Sequence, residues 1–81
     1  MIIKRIKDTE IRRYRTDDGK LLGMAGPVEE LERLDILQYT GKGVETRAPA
    51  GTWCCITADG SILDFVDSKA AAKLVFMELD V

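Results

Sequence analysis

The chain has 81 residues, 46% of them apolar and 32% charged, with a formal net charge of −2 and an isoelectric point near 5.0. A chain of this length hides only roughly 60–65% of its unfolded surface, so one folding unit, residues 1–81, is expected and two independent cores are not. The apolar content excludes a disordered chain, no apolar run reaches the length of a membrane span, and the lack of any histidine removes the commonest general base and metal ligand.

Taken in chain order, Ile2 to Lys7 is rich in β-formers and is expected to pair as a first strand. Strands are then predicted at about Ile11 to Thr16 and Lys20 to Met24, flanking Asp18-Gly19. Asp-Gly between apolar runs favours a tight type I′ hairpin turn, in which two positive φ angles are needed. A helix is predicted from Pro27, with Gly26 as its cap, because proline lacks an N–H that would be unpaired there in any case. Val28, Leu31, Leu34 and Leu37 recur at helical spacing, and Glu29 can pair with Arg33 one turn on.

Ile36 to Thr40 and Val44 to Arg47 flank Gly41-Lys42-Gly43 as a third hairpin, and Ala48-Pro49-Ala50-Gly51 breaks the chain. Gly41-Lys42-Gly43 lacks the full frame of a phosphate-binding loop, so a β-turn is expected. Strands follow at about Thr52 to Thr57 and Ser61 to Val66, then a helix from about Ser68 to Leu79 capped by Asp67 or Ser68. Thr16 to Ala25 aligns without gaps to Thr57 to Val66, which suggests an internal repeat. The expected fold is α+β: an antiparallel sheet of four to six strands with two helices on one face, in two related ββα halves of about 1–40 and 41–81.

The second helix stands out. Ala70, Leu74, Met77 and Val81 form one face, yet Ala71, Ala72, Val75, Phe76 and Leu79 spread apolar surface almost all round, leaving Lys69, Lys73 and Asp80 as a solvent stripe. Such a helix is either central to the core or part of a contact with another chain. Trp53, Lys73, Phe76 and Met77 are the expected protein-contact residues.

Charge is uneven along the chain. Residues 1–20 carry seven basic and four acidic side chains, and residues 21–81 carry five basic and ten acidic. Side-by-side strands are expected to average this into mixed pairs, although Arg12, Arg13, Tyr14 and Arg15 offer a candidate surface for an anionic partner. Among the carboxylates, turn formation accounts for Asp17, Asp18 and Asp59 and capping for Asp67, so Asp64 alone lacks a local role. Adjacent strand residues point to opposite faces, so Cys54 and Cys55 are expected to be free core thiols, not a disulfide or metal pair.

No catalytic residue, cofactor site or metal site is assigned. The residues point to a non-enzymatic protein-interaction module, self-associating as a homodimer or acting as a small regulatory or inhibitory protein. The alternatives are nucleic-acid binding through Arg12 to Arg15, or a small molecule in an apolar pocket near Trp53 and Phe65. Free cysteines and the absence of an export signal at Met1 to Arg5 place the expected compartment in the cytoplasm, with no membrane partner.

Overall fold

A computed structural model describes residues 1–36 and 51–80. Five strands, β1 (Ile2–Arg5), β2 (Arg12–Arg15), β3 (Leu21–Pro27), β4 (Trp53–Thr57) and β5 (Ile62–Val66), form one antiparallel sheet in the order β1-β2-β3-β4-β5. Among the described residues each strand therefore pairs with its neighbour in sequence, and β1 and β5 are the two edges. The third hairpin expected around Gly41-Lys42-Gly43 lies outside the described residues.

The β2–β3 and β4–β5 hairpins share one turn. Gly19 N–H donates to the Thr16 carbonyl at 2.9 Å and Gly60 N–H to that of Thr57 at 3.0 Å. The threonine hydroxyls accept the Lys20 and Ser61 N–H groups, each at 3.0 Å, and bond to the Asp18 and Asp59 carboxylates. Those hydroxyl contacts hold both carboxyls below the usual aspartate range. Only the glycine of each turn has positive φ, at 93° and 92°, which excludes type I′ geometry. The turn is one residue longer than expected, and its glycine takes the left-handed position that closes it. Both hairpins also carry a bulge at the equivalent place, between Tyr14 and Arg15 and between Cys55 and Ile56.

The likeness stops at the hairpins and does not extend to a repeat of whole halves. Helix α1 (Val28–Arg33) has 6 residues and α2 (Lys69–Leu79) has 11. Nor do the helices share a face. Val28 and Leu31 of α1 pack with Ile11, Cys54 and Ile56, whereas Ala72 and Phe76 of α2 pack with Tyr14, Ala25, Trp53 and Cys55. Cys54 and Cys55 are neighbours on one strand, so these clusters lie on opposite faces of the sheet. The expectation of two helices on one face is corrected here: the alternation along β4 is apolar on both sides, and each side requires its own cover.

Helix α1 starts from Pro27 and its first N–H, that of Val28, donates to the Thr52 carbonyl at 3.0 Å. It stops early because the chain turns left-handed at Asp35, φ 57°. Ile36 N–H reaches back to the Leu31 carbonyl at 2.9 Å and Asp35 N–H to that of Glu32 at 3.0 Å, while Ile36 packs against the cluster containing Leu31. These are the bonds and the apolar contact of a Schellman cap, usually made by glycine. Asp35→Gly is expected to raise stability by about 0.5–1 kcal/mol, because glycine adopts this φ without the Cβ penalty. Urea denaturation midpoints at unchanged slope are the check.

Candidate interaction surfaces

Helix α2 is anchored by its cap, Ser68 Oγ accepting the Ala71 N–H at 3.1 Å, and lays Ala72 and Phe76 onto the sheet. With those two residues facing inward, 3.6-residue periodicity turns Ala70, Leu74 and Met77 outward. Leu74 is 60% exposed and Met77 47%, and Lys73 is exposed beside them. The face that the sequence allowed as core is thus the outer face.

Two of the expected contact residues are core residues. Phe76 is fully buried, its ring stacked on Tyr14 with centroids 4.3 Å apart and planes 11° from parallel. Trp53 is 8% exposed, and the Arg12 guanidinium lies 5.8 Å from its ring centroid, within cation–π range. Of the four residues Trp53, Lys73, Phe76 and Met77, only Lys73 and Met77 reach the surface, and Leu74 was missed. Its signal was the spacing from Ala70 to Met77, which a helix wheel alone assigns to core or surface with equal ease.

The basic cluster is likewise divided. Tyr14 is fully buried, which removes the one aromatic on which a base would stack. Its hydroxyl has no hydrogen-bond partner among the described residues, and burial raises its pKa. A buried polar group left unpaired costs about 1–3 kcal/mol. Tyr14→Phe is therefore expected to stabilise the fold by about 1 kcal/mol, read as a shift in thermal midpoint.

The arginines meet other cations. β1 and β2 set Lys4 opposite Arg13 and Arg5 opposite Arg12, so the expectation of mixed charge pairs does not hold for this hairpin. Like charges directly opposite each other destabilise a sheet by a few tenths of a kcal/mol to about 1 kcal/mol. Arg12 is relieved in part by Glu10 at 3.7 Å. Lys4, Arg5, Arg13 and Arg15 have no carboxylate within ion-pair distance among the described residues. Alternation places Lys4, Arg13 and Arg15 on the α1 side of the sheet and Arg5 and Arg12 on the α2 side.

The opposite edge has the other sign. β5 carries Asp64 and is flanked by Asp59 and Asp67, with no basic residue from Gly51 to Ser68. Ile62, Leu63 and Phe65 are all exposed on this strand. Asp64 has a local contact after all: its carboxylate accepts the Phe65 N–H at 2.8 Å. The sheet is therefore basic along β1 and β2 and acidic along β5.

The remaining candidate chemistry is muted. Both thiols are fully buried, and desolvation pushes Cys54 up to about 11 and Cys55 up to about 12, which leaves both protonated near neutral pH. Among the described residues no group of three Cys, Asp or Glu side chains could hold a metal ion, and no helix is long and apolar enough to cross a membrane. A groove of about 440 Å³ lined by Thr52, Phe65, Val66, Asp67 and Ala71 opens widely to solvent. It contains Phe65 but not Trp53, and its openness contrasts with the enclosed apolar sites that small ligands favour.

The chain matches no protein-family model, no curated protein and no solved structure.

Proposed function

We propose that the chain is a non-enzymatic protein-interaction module that self-associates through the outer stripe of α2, as a homodimer serving a regulatory or inhibitory role. The observation that carries this reading is the outward placement of Ala70, Leu74 and Met77 over two helical turns, with both large side chains about half exposed or more. A lone exposed leucine is ordinary on a protein surface. A stripe at one-turn spacing is the pattern by which a helix seats against another chain. The protonated thiols and the wide groove offer no competing chemistry.

Light scattering across a concentration series tests the proposal. In about 0.5 M salt, where charge contacts are screened, the expected result is a dimer mass, reduced to the monomer by Leu74→Ser with Met77→Ser while the circular dichroism spectrum is unchanged. A wild-type monomer at millimolar concentration overturns it.

A second reading, nucleic-acid binding, is favoured by the cross-strand pair Lys4 and Arg13 with Arg15 on the same face, since phosphates would relieve that repulsion. It lacks a stacking aromatic. Arg13→Glu with Arg15→Glu should abolish a salt-sensitive mobility shift of single-stranded DNA or RNA; no wild-type shift at low salt removes the reading.

A further inference from the structure

We infer that a second copy of this chain docks edge to edge on the sheet, the acidic β5 of one copy pairing with the basic β1 of the next. This goes beyond contact through α2, because it uses the two strand edges and leaves the helix stripe free.

Three observations carry it. The first is the edges: among the described residues β1 and β5 are terminal in the strand order, with no strand paired on the outer side of either, and the Phe65 N–H of β5 turns to the adjacent Asp64 carboxylate. Natural edge strands are commonly guarded by lysine, by proline or by an inward charge. β5 has neither lysine nor proline, and exposes Ile62, Leu63 and Phe65, with Asp64 and the adjacent bulge to blunt it among the described residues.

The second is charge. β1 carries Lys4 and Arg5, already crowded by Arg13 and Arg12 across the strand, and β5 carries Asp64 between Asp59 and Asp67. Pairing β5 with a second β5 around a two-fold axis would bring two acidic edges together. Pairing β5 with β1 joins opposite charges and relieves the repulsion within the β1–β2 hairpin.

The third is direction. Four antiparallel pairings separate β1 from β5, so the two edges run the same way. A copy displaced along the sheet sets its β1 parallel to β5 with the α2 faces on one side. Asp64 and Arg5 then share the α2 side, and the parallel register that sets them side by side brings Phe65 beside Ile6 on the other, so an ion pair and an apolar contact form on opposite faces of one joint. The Asp64 carboxylate exchanges its contact with the Phe65 N–H for the incoming guanidinium. Such a contact is head-to-tail and does not close on itself, so it builds assemblies longer than a dimer.

The test uses the full chain, with Asp64→Lys and the double variant Lys4→Glu, Arg5→Glu, each confirmed as folded by circular dichroism. In salt of about 20 mM, wild-type mass should climb with concentration beyond the dimer, and in about 0.5 M salt the added mass should vanish as the charges are screened. Each variant alone should lose the added mass, with association weakened about tenfold or more, and the equimolar mixture of the two should restore it. The Leu74→Ser, Met77→Ser chain should keep the salt-sensitive association while losing the helix-mediated dimer, so the two contacts fail separately. Wild type that never exceeds a dimer at low salt overturns the inference. So does association that survives both charge reversals, or a mixture no larger than its components.

Discussion

Phe76→Ala is expected to destabilise the fold by about 3–5 kcal/mol, the range for deleting a buried aromatic from a packed core. Phe76 is the largest α2 side chain on the sheet: it is fully buried, stacks on Tyr14 and lies against Gly23. Removing it opens a space that Ala72 and Val75 are too small and too firmly placed to fill. The total stability of a small domain is of order 5–15 kcal/mol, so the loss is a large share of it. Chemical denaturation measures it directly, and a double-mutant cycle with Tyr14→Leu isolates the stacking, for which about 0.5–1.5 kcal/mol of coupling is expected. A loss below about 1 kcal/mol would mean that α2 is not docked on this face.

Gly23→Ala should be damaging from the other side of the same contact, by about 3 kcal/mol or more. A Cβ at this position would stand 2.0 Å from the Ile56 carbonyl oxygen and 2.8 Å from the Phe76 ring. The ring can tilt, but the oxygen belongs to the backbone of the neighbouring strand, so β3 and β4 would have to move apart. Overpacking of a native core typically costs about 1–3 kcal/mol, and a clash with backbone lies at the upper end or above. Combining Gly23→Ala with Phe76→Leu separates the two components: relief of the ring contact should recover only a minor part of the loss. Full recovery would show that the carbonyl contact is unimportant. Gly19, in contrast, has open space around its added Cβ and is needed only for its positive φ.

Much of the fold was legible because the signals were local. Asp-Gly turns flanked by apolar runs marked both hairpins, and the serine before Lys69 marked the start of α2, where Ser68 is the cap. What escaped depended on long-range geometry. Nothing in the run Trp53-Cys54-Cys55-Ile56 distinguishes a strand buried on one face with generous flanks from a strand covered on both, and the second case sends the helices to opposite sides. The cap at Asp35 escaped because an aspartate stands where a glycine would have announced it. The interaction surfaces were half legible: Met77 and Lys73 are exposed, but Phe76 and Trp53 are core, since α2 turns the ring toward Gly23, where the strand leaves room. The cross-strand cation pairs were encoded in register, and register follows from the length of the β1–β2 turn, which composition does not reveal.

The strand order also shapes how the molecule assembles itself from the unfolded chain. β2 with β3 and β4 with β5 are joined by short turns of the same design, so both hairpins can close within a few residues of contour. Among the described residues the one distant pairing is β3 with β4, whose junction spans the chain from Pro27 to Trp53. Docking of two hairpins across that span is then the step that bears the loop-closure entropy, and the folding rate should respond only weakly to the number of residues in it: halving that number lowers the closure cost by about 0.6 kcal/mol, roughly a threefold change in rate. Gly23 lies in β3 against the Ile56 carbonyl of β4, so the smallest residue sits where the two hairpins come together.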